Sequence, residues 1–282
     1  MNKLFRIALI LIISGGIIFM GTMCFLGFDF SKLDRTVYVN NTHEFEEDIK
    51  NISVDTTTTD VSIYPAADNV LKVTCHEKEH NPYKVTLNDD TLTITKDNSF
   101  SIKNIVLFPK DSESISLYLP EKVYNSIKVN HTTGDVIIEK INAENLSVKT
   151  TTGDITVSQT NCKDACLNVT TGNIALSAIN AENSLNAKAT TGDINLDLVL
   201  CSAGSIECKT TTGDITFSNC DAAKSITANA TTGDISGTLL SAKNFTTKVT
   251  TGKANVPESL TGCAECYLKT TTGNIDISIA SY

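Results

Sequence analysis

A four-residue motif, Thr-Thr-Gly followed in most copies by Asp or Asn, recurs along the second half of the chain. It occurs eight times, and successive motif glycines are always 19–21 residues apart. A fixed period of about this size indicates a repeat architecture, in which each repeat is one structural unit. The glycine and the residue after it are Gly134 and Asp135, Gly153 and Asp154, Gly172 and Asn173, Gly192 and Asp193, Gly213 and Asp214, Gly233 and Asp234, Gly252 and Lys253, and Gly273 and Asn274.

Hydrophobic residues alternate with polar residues on both sides of each motif. Around Gly153, for example, Leu146 and Val148 share one face before the glycine, and Ile155 and Val157 share it afterwards. Period-two alternation is typical of half-buried strands, and one short repeat can bury its apolar face only by stacking on neighbours. The predicted fold is all-β: a β-solenoid of about eight rungs over 127–282, after a less regular β region and one transmembrane helix.

The motif predicts a tight corner. Glycine accepts the positive φ that such a corner requires, and the following Asp or Asn can hydrogen-bond nearby backbone through its side chain. A calcium-binding column is the alternative, because stacked carboxylates could share cations. Asn173, Asn274 and Lys253 remove charge from that column, so the corner interpretation is favoured and no metal is predicted.

The N-terminus predicts membrane attachment. Lys3 and Arg6 precede an uncharged apolar run over 7–28, which is long enough to span a bilayer as a helix. A cleaved signal peptide and a lipoprotein signal at Cys24 are the alternatives, but the exit from the run is not Ala-x-Ala-like and Met23 is unfavourable immediately before a lipidated cysteine, so an uncleaved anchor is favoured. The expectation is a single-pass cell-membrane protein with residues 1–6 in the cytoplasm and the C-terminal domain extracellular.

Residues 29–126 predict a β region that caps the leading edge of the solenoid. Thr58, Thr59 and Asp60 form a degenerate copy of the motif without its glycine, and several strand-like runs follow. No comparable cap follows the last repeat. We therefore expect that repeat to form an exposed edge, which could mediate self-association or contact another envelope protein.

Candidate catalytic and metal-binding residues are few. His76 and His80 are assigned to a loop between strands, and Cys208 and Cys266 fall on inward positions. Cys201 and Cys220, near corners of neighbouring rungs, could form a disulfide. A zinc site built from the pairs Cys162/Cys166 and Cys263/Cys266 is rejected, because five rungs separate the pairs by about 24 Å. The sequence predicts no catalytic residue, no metal and no cofactor.

A column of outward-facing residues lies four positions before each motif glycine. The chain carries a net charge of −9 and is only 6% aromatic, which argues against nucleic-acid binding. The column is nevertheless basic, with five lysines among three asparagines. It is either a solvated face that discourages aggregation or a linear surface for an anionic cell-wall polymer such as teichoic acid. The candidate binding residues are Lys149, Lys188, Lys209, Lys248 and Lys269.

The order of these features resembles a bacterial putative-adhesin domain family of unknown function. The resemblance comprises the apolar anchor followed by residues 27–33, the degenerate motif at 59–63, the run at 115–120, and then the repeats. It implies a membrane-anchored β-solenoid with no established catalysis. The expected function is a non-enzymatic cell-surface adhesin or polymer-binding scaffold. The alternatives are a regulatory or assembly partner in an envelope-stress system and a carbohydrate-active solenoid enzyme.

Overall fold

The computed structural model describes residues 3–25, 27–28, 36–96 and 111–281. The expected N-terminal segment 1–6 and β region 29–126 are therefore described only in part. Helix α1 spans Lys3–Phe25 and is the one helix in the described chain that is long and apolar enough to cross a membrane. The helix ends at Phe25, three residues before the end of the predicted transmembrane span at residue 28. Gly27 and Phe28 have φ angles of 67° and 59°, which are not helical.

The remainder of the described chain is β structure. The strands are β1 Tyr38–Phe45, β2 Asn51–Asp55, β3 Asp60–Pro65, β4 Leu71–Lys78, β5 Lys84–Asn88, β6 Thr91–Thr95, β7 Ser114–Leu119, β8 Val123–Asn130, β9 Val136–Glu139, β10 Asn142–Thr152, β11 Ile155–Thr171, β12 Ile174–Thr191, β13 Ile194–Cys201, β14 Ser205–Thr212, β15 Ile215–Ala222, β16 Ser225–Thr232, β17 Ile235–Leu239, β18 Asn244–Thr251, β19 Ala254–Asn255, β20 Glu265–Thr272 and β21 Ile275–Ile279. They form the predicted β-solenoid.

Each rung turns at its motif glycine, and five of the rungs turn again after their second face. The first face of the solenoid contains the segments before the motif glycines, and the second face contains the segments after them. Parallel pairing joins equivalent segments of neighbouring rungs on both faces. In those five rungs the second face ends at a residue with φ of 49–55°, from which a short third segment leads to the next rung. These left-handed residues are Lys140, Gln159, Ala178, Leu198 and Asn219.

The core lies between the faces, and its inward columns are continuous. One column contains an isoleucine immediately after the corner in six rungs, each no more than 1% exposed: Ile155, Ile174, Ile194, Ile215, Ile235 and Ile275. Burying an aliphatic side chain of this size contributes about 1.5–3 kcal/mol, so each isoleucine of this column stabilises the stack of rungs.

The spatial order of the rungs departs from the order of the chain at both ends. We number the eight rungs 1–8 by their motifs. The leading rung, β2–β3, lies between the β6/β7 layer and rung 1. Rung 8, β20–β21, lies between rungs 6 and 7 and pairs with both. The expectation that the last repeat forms the exposed edge is therefore wrong, since rung 7, β18–β19, covers it.

The residues of rung 7 explain its terminal position. Its Thr247 pairs in register with the fully buried Leu268, and its Ala254 pairs with Ile275. Other rungs carry larger apolar residues after the corner, so rung 7 is the least able to fill a layer with neighbours on both sides. No residue from 244 to 264 is buried. The sequence of rung 7 is that of a cap.

The leading end is closed by antiparallel strands. Strand β4 pairs antiparallel with β1 and β7, and β5 pairs antiparallel with β6. His76 lies within β4, so its assignment to a loop is wrong, whereas His80 lies in the turn that follows. The His76 ring stacks on Tyr38, and its Nε2 lies 2.9 Å from a carboxylate oxygen of Asp111.

Six of the nine cysteines are buried: Cys75, Cys162, Cys201, Cys208, Cys220 and Cys266. All nine, each within the described part of the chain, are free thiols. The proposed Cys201–Cys220 disulfide is wrong, because register places Ala222 opposite Cys201 and Leu239 opposite Cys220. Burial raises the pKa of Cys162 and of Cys266 to about 12, so these thiols stay protonated and unreactive at neutral pH.

A buried histidine makes stability depend on pH. His131 Nε2 donates to the Gly134 carbonyl at 2.6 Å, while its Nδ1 has no partner. Burial holds the pKa of His131 below its usual 6.5, although the hydrogen bond to the Gly134 carbonyl and the charges of Asp60 and Asp135 oppose the shift. Since the unfolded chain binds this proton more readily, the stability that neutral His131 provides is complete above pH 6.5 and is lost as pH falls.

We therefore expect the unfolding free energy of the wild type to fall relative to that of His131→Val as the pH is lowered below about 6.5. Valine occupies the equivalent buried position, Val169, two rungs away. Urea unfolding of both proteins at each pH measures the difference. A constant difference between the two proteins would contradict this role for His131.

Candidate functional site

The corner motif builds a ladder of hydrogen bonds that runs the length of the solenoid. At each step, Oδ1 of the residue after the glycine accepts from the backbone N–H at the equivalent position of the next rung, at 2.6–3.1 Å. The ladder runs through Asp60, Asp135, Asp154, Asn173, Asp193, Asp214, Asp234, Asn274 and Lys253. The side chains thus bond to neighbouring rungs instead of to their own corner.

This ladder explains the composition of the motif. Asp and Asn both offer the required oxygen, so charge is not needed at this position. Lys253 offers no acceptor, but it belongs to the terminal rung, beyond which the described residues form no further rung. In the described residues, no group of three or more His, Cys, Asp or Glu side chains is placed to hold a metal ion.

The corner glycines allow the rungs to approach closely. Their φ angles are 130–148°. A Cβ at any of them would lie 1.9–2.1 Å from the carbonyl oxygen of the adjacent corner. Asp60 belongs to the leading rung, where Thr59 replaces glycine at the start of the column. Each later rung needs glycine because it stacks on the carbonyl of the corner before it.

The structure places the five candidate lysines in one register column on the first face. Asp55 precedes the column and accepts a hydrogen bond from Asn130 Nδ2 at 3.2 Å. In spatial order the column then reads Asn130, Lys149, Asn168, Lys188, Lys209, Asn229, Lys269 and Lys248. At about 4.8 Å per rung, the lysines extend over about 29 Å.

The column contains two lysine clusters. The central cluster comprises Lys149, Lys188 and Lys209, and the terminal cluster comprises Lys269 and Lys248, with Asn229 between them. The central cluster borders a recess of about 350 Å³. Thr170, Thr190 and Thr211 line the same recess. The central cluster is therefore the part of the column with a concave surface.

The carboxylate of Glu207 pairs with one lysine of the central cluster and would compete there with an anionic ligand. Glu207 Oε1 lies 3.8 Å from Lys188 Nζ, and its Oε2 accepts from Asn186 Nδ2 at 3.2 Å. Among the described residues, the other four lysines of the column form no salt bridge. Sequence inspection did not single out Glu207, although it lies two residues before Lys209 and therefore faces outward on the same strand.

Two further recesses contain charged groups that could suggest an enzyme. In a recess of about 530 Å³, the buried Lys243 ammonium donates to Asp221, the Ala222 carbonyl and Ser241. In a second, of about 350 Å³ at the leading end, Glu113 pairs with Lys96 and Lys78. These contacts tie the charged groups to their own surroundings, so neither recess offers an uncommitted acid–base pair from these residues.

Three crystal structures resemble the solenoid over most of their length. A putative adhesin from Bacteroides fragilis NCTC 9343 is 18% identical, with 85% of this chain and 97% of that chain covered and a TM-score of 0.49. A putative adhesin from Parabacteroides distasonis ATCC 8503 is 11% identical, with 86% and 98% covered and a TM-score of 0.49. A putative lipid binding protein from the same strain is 15% identical, with 85% and 96% covered and a TM-score of 0.49.

No curated protein matches the chain. Residues 49–280 match the family described as Toastrack DUF4097, which spans the leading rung and all eight repeats. The resemblance to the putative-adhesin domain family of unknown function is thereby confirmed, and the three similar structures are described as putative adhesins or a putative lipid binding protein. The chain belongs to the Toastrack family.

Proposed function

We propose that this protein is a non-enzymatic, membrane-anchored component of the cell envelope whose solenoid binds a linear anionic polymer. The observation that carries the proposal is the single register column of five lysines, which runs along the solenoid axis beside a recess. Helix α1 is the membrane anchor, with the N-terminus in the cytoplasm and the solenoid outside.

The charge distribution favours an extended ligand. The chain is acidic as a whole, so its average field repels anions, and the column provides a local row of positive charge. Lysines spread over about 29 Å can contact successive charges of one polymer, whereas a small anion would reach only one or two of them. Because the contacts are electrostatic and exposed, affinity should fall steeply with salt.

Replacing all five column lysines by glutamine is expected to weaken binding to a purified anionic wall polymer at least ten-fold. Each exposed contact contributes modestly, and the loss of five adds up. The measurement is retention of the full-length protein, in neutral nanodiscs, on immobilised polymer over a range of salt concentrations.

The matched control removes the same charge from other faces by replacing the exposed Lys50, Lys84, Lys140, Lys163 and Lys224 with glutamine. This variant should bind like the wild type. Equal weakening in both variants would show that net charge alone governs binding. Unchanged binding in the column variant would identify the lysines as a solvated face that keeps the sheet soluble.

A further inference from the structure

The two lysine clusters differ in their surroundings. Terminal-cluster residues Lys269 and Lys248 lie on the last two rungs of the stack, and in the described part of the chain no strand pairs with the outer side of rung 7. The central cluster lies on interior rungs and shares its recess with three threonines. If the column binds an anionic polymer, as proposed above, the two clusters should not contribute equally.

The central recess presents hydrogen-bond donors of two kinds. Lys149, Lys188 and Lys209 offer ammonium groups on one side, and the exposed Thr170, Thr190 and Thr211 offer hydroxyl groups. Arginine, whose planar guanidinium pairs with carboxylates through two parallel bonds, is absent from the chain beyond residue 35. Lysine acts as a point charge and is a common ligand of phosphate.

The spacing of the cluster fits repeated anions. Lys188 and Lys209 occupy adjacent rungs, about 4.8 Å apart, so that both ammonium groups can approach one tetrahedral anion. Lys149 lies two rungs from Lys188, about 9.6 Å away, with Asn168 between them. Threonine hydroxyls can both donate and accept, which suits the hydroxyl groups of a polyol next to the anion.

We propose that the central cluster is a subsite for the phosphodiester groups of a polyol-phosphate polymer, and that the terminal cluster adds only unselective attraction. The recess of about 350 Å³ falls within the usual range of small-ligand sites. In this subsite the lysine ammonium groups bind the phosphate, and the threonine hydroxyls form hydrogen bonds with the polyol. Glu207, which pairs with Lys188, disfavours ligands that carry additional carboxylates near this position.

The test compares three probes on the full-length protein in neutral nanodiscs. They are poly(glycerol phosphate), polyglutamate of matched charge number, and vesicles of phosphatidylglycerol. We expect poly(glycerol phosphate) to bind at least ten-fold more tightly than polyglutamate. The triple substitution K149Q/K188Q/K209Q should abolish this preference. The double substitution K248Q/K269Q should weaken the binding of both polymers equally and leave the preference unchanged.

A second variant separates hydroxyl recognition from charge. Replacing Thr170, Thr190 and Thr211 by valine retains shape and every lysine, and it should reduce the preference without abolishing polymer binding. Equal binding of the two polymers by the wild type would overturn the subsite while leaving the polymer-binding function standing. Binding of neither polymer would overturn both. Vesicle binding as tight as polymer binding would assign the column to a membrane surface instead.

Discussion

Gly213→Ala is expected to destabilise the solenoid by on the order of 4 kcal/mol. Its new Cβ would lie 2.1 Å from the carbonyl oxygen of Gly192, and the backbone φ of 141° already disfavours any L side chain. The carbonyl cannot retreat, because it belongs to a corner fixed on both sides by parallel neighbours. Urea unfolding followed by circular dichroism measures the change in unfolding free energy.

Gly262→Ala provides the matched control. Gly262 also has a positive φ, 87°, but nothing lies within 4 Å of the position that its Cβ would take. The control therefore carries the backbone strain without the clash, at a cost of about 1–2 kcal/mol. Similar losses in both variants would mean that the corner glycines are required only for their φ angle and not for close approach of the rungs.

Asp214→Ala is expected to cost about 2 kcal/mol, the second largest effect. Asp214 Oδ1 accepts from the Asp234 backbone N–H at 2.7 Å, and alanine would leave that donor without its partner. Asp214→Asn should cost much less, since the amide oxygen can accept the same bond, as Asn173 does for Asp193. The comparison thus separates hydrogen bonding from charge.

Lys253→Ala is the control for the ladder. Lys253 occupies the equivalent corner position, but it lies on the terminal rung and accepts no bond from a further rung. Its replacement should change the unfolding free energy by less than about 0.5 kcal/mol. If the ladder mattered only through its exposed charges, Asp214→Asn would lose as much unfolding free energy as Asp214→Ala.

Much of the solenoid can be predicted from the sequence, because its strands and corners are determined by residues close together in the chain. Alternation around Gly153 fixes the strands on both sides, and the period of the motif predicts the stacking. The register of the lysine column follows in turn, since every lysine lies four residues before its glycine. The recess beside Lys188 could not be predicted, because it depends on how neighbouring rungs pack side chains of different size.

The inverted order of rungs 7 and 8 is the main feature that periodicity did not reveal. A repeat predicts that rungs stack, but not that they stack in the order of the chain. The signal was nevertheless present in Thr247, Lys253 and Ala254, which together make rung 7 unsuitable for the interior. Lys253 first indicated only that charge is dispensable at the corner. In the structure it marks the end of the ladder.

Placing the final rung inside the stack has a mechanical consequence. Rung 8 pairs along its length with rung 6 on one side and with rung 7 on the other, and the chain leaves it where the Ala280 N–H donates to the Leu239 carbonyl. Tension applied at the C-terminal end would therefore load two rows of hydrogen bonds in shear, parallel to the strands. A rung at the edge of the stack would resist the same tension with only one row of hydrogen bonds, because it has a neighbour on one side alone.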